Sequence, residues 1–185
     1  RAAALSLDGL HSTRPIEFPV TSPRDADAMF DVLTYEKGAS VLRMLEQFLG
    51  ADVFRAGVRD YLQTHKLANA DTGDLWAALG RASQQPIPAV MDGWIFRPGH
   101  PVVTVSREAG EFVLSQQRFN YLREPLPPAA IEPDQPWQVP VQLRVHGRST
   151  IEERVLLSER QTRRRLGEPG DVVVADPGGH GFYPG

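Results

Sequence analysis

The sequence has no cysteine, which excludes disulfides, thiolate metal sites and cysteine nucleophiles. It also has no long hydrophobic run: nothing approaches the roughly 20 apolar residues of a membrane span, and the apolar opening Arg1 to Leu7 is too short for a signal segment. A cytoplasmic setting and no membrane partner are the resulting expectations. Charge of one sign is scarce too. A formal net charge of -3 with 23% charged residues provides no basic footprint for nucleic acid, so no nucleic-acid partner is expected either. The chain lacks an initiator methionine and opens in what reads as mid-helix, as a piece of a longer protein would.

With 185 residues, 41% of them hydrophobic, the chain can bury one ordinary core or two small ones. Its apolar pattern changes period once. From Asp25 to about Trp94 the spacing is helical, and from Pro101 onward it is that of strands. The change falls at Arg97-Pro98-Gly99, which suggests a helical unit over 1–98 and a β unit over 99–185.

The clearest helix spans about Thr34 to Leu49, with Leu42, Leu45, Phe48 and Leu49 as its stripe and Gly50 as a left-handed stop. A second follows Asp52, read as an N-cap, and a third opens at Thr72, read as its cap. A short turn of helix lies around Val90 to Trp94. In the second half, Trp137, Val139, Val141, Leu143 and Val145 alternate with polar residues. Further strands are expected at Val102 to Ser106, Glu111 to Gln117, Ile151 to Leu157 and Asp171 to Ala175. Pro140 within the best strand argues for an edge position. The whole reads as α+β: a helical bundle segment, then a small antiparallel β-sandwich. Glu124 to Pro136, rich in proline, reads as a stiff loop between strands.

Histidine and carboxylate are the metal ligands left. The histidines are His11, His65, His100, His146 and His180. No two are four residues apart, so no helix presents the pair of an H-E-x-x-H motif; each reads as a surface or turn histidine, and no metal is expected on this chain. No G-x-S-x-G elbow or phosphate-binding loop appears, since Gly178-Gly179-His180-Gly181 reads as a turn. Arg160, Arg163, Arg164 and Arg165 read as a solvated hairpin end. One residue stands out by placement. Tyr35 sits where an amphipathic helix begins, and its phenol could reach a cleft and donate to developing negative charge. On placement alone core packing remains the simpler reading.

Met29 to Leu45, and above all Phe30-Asp31 with Tyr35-x-Lys37-Gly38-Ala39 and Val41-Leu42, resembles the signature of the zinc metallo-aminopeptidases of the gluzincin group, which includes aminopeptidase N and the alanyl and puromycin-sensitive aminopeptidases. The likeness continues through Asp74-Leu75-Trp76, Met91, Trp94, Pro98-Gly99, Pro101, Trp137, Val139-Pro140 and Gly181-Phe182-Tyr183. It implies that 1–98 is the helical, C-terminal part of a thermolysin-like catalytic domain and 99–185 the β-sandwich domain after it. It implies further that Tyr35 is the tyrosine that hydrogen-bonds the scissile carbonyl oxygen, while zinc, its ligands and the general base lie upstream of the match. The implied partners are a peptide substrate and the remaining domains of the same protein. Lys37 and Gly38 read as structural, the glycine allowing close helix packing and the lysine forming a local ion pair. Two departures stand out. Arg14 occupies a stretch where many members read Ser-His-Pro, and Gly181-Phe182-Tyr183 is followed by Pro184-Gly185 in place of Arg-Val and a large helical domain. The alternative from another class is a non-catalytic helical and β module that binds a partner.

Overall fold

A computed structural model describes residues 1–121, 135–168 and 170–184. Among these, the helices are α1 (Ala2–Asp8), α2 (Pro23–Ala28), a π-helical turn (Leu33–Lys37), α3 (Gly38–Leu49), α4 (Ala51–Thr64), α5 (Thr72–Ser83) and α6 (Ile87–Ile95). The strands are β1 (Pro101–Glu108), β2 (Glu111–Arg118), β3 (Val139–His146), β4 (Thr150–Leu157), β5 (Gln161–Arg164) and β6 (Val172–Ala175). The α+β class and the helices-then-strands order are as the periodicity indicates. Two three-stranded antiparallel sheets, ordered β1-β2-β5 and β4-β3-β6, form the β part.

Capping chemistry sets the helix boundaries and corrects three of the expected ones. Gly50, not Asp52, stands at the start of α4. Its backbone has φ 88° and ψ 148°, a region open to glycine but not left-handed helical, so it is a sharp corner between α3 and α4. Asp52 lies in the first turn and pairs with Arg55 at 2.9 Å. In α5 the cap is Asp71, whose side chain accepts from the Asp74 amide while Asp74 accepts from the Asp71 amide, a capping box one residue ahead of Thr72. The stripe of α3 is also shifted: Val41, Met44, Leu45 and Leu49 are buried, whereas Leu42 and Phe48 are half-buried.

In β3 the inward residues Val139, Val141, Leu143 and Val145 are all buried, and so is Trp137 ahead of them. The strand is nevertheless central, flanked by β4 and β6. Pro140 is tolerated because β6 pairs only with residues 143–146, leaving β4 as the one neighbour beside the proline. The arginine run, expected as a hairpin end, supplies β5, which pairs with residues 112–115 of β2. Arg163 there meets Glu108 at 2.8 Å, so a charge on this exposed edge strand is paired, and charged side chains blunt a sheet edge. The stretch Glu124 to Pro136 lies outside the described residues except for its last two.

One hydrophobic cluster runs through helices and sheets alike, from Val41, Leu45 and Trp76 through Met91 and Trp94 to Trp137, Val141, Leu157 and Phe182. Trp94 donates from Nε1 to the Gln138 carbonyl at 3.0 Å and sits 6.4 Å, centroid to centroid, from both Trp137 and Phe182. Gln116 of β2 ties the sheets together: its buried amide donates to the carbonyls of Trp137, Leu157 and Glu159 and accepts from the Trp137 amide.

Two glycines give a test of this packing. A methyl group on Gly57 of α4 would stand 2.7 Å from a Leu79 methyl and 3.0 Å from Leu79 Cα, whereas one on Gly38 would meet nothing within 4 Å. Alanine in a helix gains about 0.5–1 kcal/mol over glycine, but overpacking costs about 1–3 kcal/mol. Gly57→Ala should therefore lower the unfolding free energy by about 1–2 kcal/mol and Gly38→Ala should raise it slightly, both measured by urea denaturation. Stabilisation by Gly57→Ala would contradict the packing of α4 on α5.

Candidate functional site

Tyr35 lies on the π-helical turn, a wider coil than the α-helix and one that recurs at functional sites. The turn is entered through a tightly fastened segment. Ser22 and Asp25 form a capping box on α2, and Asp31 accepts from the Thr34 amide at 3.0 Å. Arg14 crosses the whole region. Its guanidinium pairs with Asp31 at 2.6 Å and donates to the carbonyls of Pro15 and Ala28 and to the Thr34 hydroxyl, lying 4.9 Å over the Phe18 ring. The departure from Ser-His-Pro thus has a structural role, fastening the segment ahead of Tyr35.

The phenol itself is 59% exposed, so the core-packing reading does not hold for this tyrosine. Its ring stands 6.3 Å from that of Phe30, itself exposed, and among the described residues its hydroxyl has no hydrogen-bond partner. That hydroxyl is free to donate to an external acceptor.

Lys37, two residues on, is 0% exposed. Its ammonium lies 2.9 Å from Asp8 Oδ2 and donates to the carbonyls of Arg97 at 3.3 Å and Gly99 at 3.2 Å. Two carbonyls thus accept from the ammonium and the Asp8 carboxylate pairs with its charge; burial lowers the Lys37 pKa from its ordinary 10.5, and the Asp8 charge opposes that shift. The pair is not local: Asp8 belongs to α1, and the two carbonyls belong to the segment between α6 and β1. Asp8 Oδ1 also accepts from the Gly99 amide at 3.0 Å and from the Thr13 hydroxyl at 2.7 Å. Burial alone would raise the Asp8 carboxyl, but its hydrogen-bonding neighbours His100, Lys37 and Thr13 and the Lys37 charge together hold it below the ordinary value of 3.8. Gly99 must be glycine there, with φ 86° and the Arg118 guanidinium 2.7 Å from where a Cβ would stand. Gly38, by contrast, has open space around it, so close helix packing does not explain it.

His100 also departs from expectation. It is buried, stacks on Phe119 at 5.0 Å and places Nδ1 3.7 Å from Asp8 Oδ2. His11 and His146 are exposed, and His65 and His180 half-buried. Zinc does not fit this arrangement. Among the described residues no three His, Asp or Glu side chains converge on a point, and the buried pair, Asp8 with His100, has its carboxylate already engaged by Lys37, Thr13 and Gly99. Asp8 escaped the sequence reading. Its signal was there: it stands four residues after Ala4, on the face of α1 that is buried.

The residues of the motifs gather in two places. Tyr35 and its turn form one. Met91, Trp94, Pro101, Trp137, Val139, Pro140, Phe182 and Tyr183 are all buried at the seam between helices and sheets and form the other. A helical unit that presents an exposed tyrosine from a fastened turn, seamed to paired antiparallel sheets, is the architecture that the aminopeptidase motifs imply. Residues 1–94 match the peptidase family M1 domain, and the chain belongs to that family, the zinc metallo-aminopeptidases. It is 41% identical over 182 residues to a probable aminopeptidase 2 of Sulfurisphaera tokodaii, covering 98% of this chain and 22% of that protein. Over 168 residues it is 39% identical to the mitochondrial aminopeptidase 2 of Saccharomyces cerevisiae, covering 90% and 17%. Aminopeptidase M1 of Arabidopsis thaliana is 44% identical over 115 residues, covering 62% and 13%. The chain thus spans about a fifth of the length of the curated relatives it matches. Among the described residues no helix is long and apolar enough to cross a membrane.

The buried pair has a pH signature. Because the Asp8 pKa is lower folded than unfolded, its contribution to stability is complete above the unfolded value, about 3.9, and is lost as pH falls through the lower folded one. Stability should therefore drop below about pH 4, and Asp8→Asn should flatten that part of the profile in thermal unfolding. Lys37→Met, which strands a buried carboxylate, should cost about 3–5 kcal/mol at pH 7. An unaltered acid limb in Asp8→Asn would show that the pair does not contribute.

Proposed function

We propose that this chain is part of a zinc-dependent aminopeptidase that removes N-terminal residues from peptides, and that Tyr35 is its transition-state hydrogen-bond donor. The observation that carries the reading is the exposed, unpartnered phenol on a π-helical turn held from both sides. The motif around it and the aminopeptidases among its relatives supply the reaction class. When the carbonyl carbon of a peptide bond turns tetrahedral, its oxygen gains negative charge. A phenol O–H aimed at that oxygen binds the oxyanion more strongly than the ground-state carbonyl, which lowers the barrier without tightening substrate binding.

Zinc, its ligands and the general base are expected on the rest of the protein, and this chain alone is expected to be inactive. In this reading 1–98 is the helical end of the catalytic domain and 99–185 the β-sandwich domain behind it. The partners are a peptide substrate and the remaining domains of the same protein. No nucleic-acid or membrane partner and a cytoplasmic setting remain the expectations of this reading.

Tyr35→Phe in the full-length protein removes one hydroxyl that no described residue uses. It should lower kcat for an aminoacyl anilide by on the order of 10²–10³, with KM and the unfolding temperature nearly unchanged. Turnover equal to that of the unmodified protein would overturn the role of Tyr35. Absence of any aminopeptidase turnover by the full-length protein with added zinc would favour a non-catalytic, partner-binding module instead.

A further inference from the structure

Tyr35 and Lys37 point in opposite directions from one turn, the phenol outward at 59% exposure and the ammonium inward at 0%. Whatever fixes one therefore fixes the other. The ammonium is held by Asp8 on α1 and by the carbonyls of Arg97 and Gly99 ahead of β1, all outside the turn. On its other side Thr34 is held by Asp31 and Arg14. Among the described residues the phenol has no such anchor of its own, only the Phe30 ring at 6.3 Å. We propose that Lys37, through Asp8 and the Arg97 and Gly99 carbonyls, is a positioning residue that sets where the Tyr35 hydroxyl points. This inference rests on the reading of Tyr35 as an oxyanion donor.

Stability does not account for a lysine at this position. Well-packed apolar residues often replace a buried ion pair at no cost, and the surrounding cluster, with Phe182 5.8 Å from the ammonium, is already apolar. What an ion pair adds is direction. A leucine would pack in several ways, whereas an ammonium paired with one carboxylate and donating to two fixed carbonyls is held in one arrangement. Direction matters for an oxyanion donor, which acts only at about 2.7–3.1 Å from the oxygen. Misplacement by about 1 Å can cost on the order of 10² in rate.

The test is a double-mutant cycle on the full-length protein. Lys37→Met should lower kcat by on the order of 10² with KM little changed, and should add almost nothing in a Tyr35→Phe background, because the hydroxyl it positions is gone. Losses that multiply, with Tyr35→Phe itself impaired, would overturn the positioning role and leave the reading of Tyr35 intact. Full turnover in Tyr35→Phe would remove both. Should Lys37→Met not fold, the paired replacement Asp8→Leu with Lys37→Met leaves no buried charge and enters the same cycle. A second readout is independent of turnover: with 3-fluorotyrosine incorporated, the fluorine line lost in Tyr35→Phe should shift or broaden in the Lys37 variant, and an unmoved line would overturn the proposal.

Discussion

A buried ammonium ion must be compensated within the protein, and Lys37 finds its countercharge and two carbonyl acceptors on two segments outside its own turn. This one requirement organises the helical half. Helix α1 must lie where Asp8 reaches Lys37, and the strand entry must lie where Arg97 and Gly99 offer their carbonyls. Gly99 is drawn in twice, its carbonyl accepting from Lys37 and its amide donating to Asp8. Few backbone conformations permit both, and the one adopted has positive φ. An ion pair in an apolar setting gives little net stability, yet it is intolerant of misalignment. It specifies one register among the many that hydrophobic packing alone would allow.

That register determines how helices and sheets meet. The segment from Arg97 to Gly99, where the sequence changes period, is held by contacts with both parts and is not a free linker. The Arg97 guanidinium lies 4.2 Å over the Trp137 ring and donates to the Gln135 and Pro136 carbonyls. Trp94 bonds the chain just before β3, and the Phe182 amide approaches the Met44 sulfur at 3.4 Å. Residues shared with the family signature on both sides of the crossing are thereby explained as seam residues. Their burial couples the two parts into one core, so strain at the seam would be felt at the turn that carries Tyr35.

How much of this was legible depended on whether a residue's role lay in its own segment. Helices and strands that follow their apolar period, such as α3 and β3, could be read directly, and the caps were missed by one or two positions because the Gly50 backbone and the Asp71 side chain, not periodicity, set them. Strand β5 was hidden because its exposed arginines carry no alternation; only its pairing to β2 makes it a strand. Pro140 misled because the strand is flanked on both sides over only half its length. At the site, Tyr35 drew notice through its motif, Asp8 left only its place on the buried face of α1, and His100 read as a surface or turn residue. The pairings of Asp8 with Lys37 and His100 join residues 29 and 92 positions apart in sequence, which no local pattern records.

In the proposed reading, Tyr35 and Lys37 divide the demands of fold and function between them. An exposed hydroxyl without a protein partner stays hydrated, so Tyr35 carries no desolvation penalty and its phenol is not required for folding. Lys37 is the reverse: its charge is needed inside the protein and cannot reach a substrate. A donor for an oxyanion has to be held still yet left unsatisfied, and one side chain cannot meet both conditions, since a hydrogen bond that fixed the hydroxyl would also occupy it. In the proposed arrangement the restraint sits two residues away, on the buried side of the π-helical turn, so that rigidity would come through the backbone while the hydroxyl stays available.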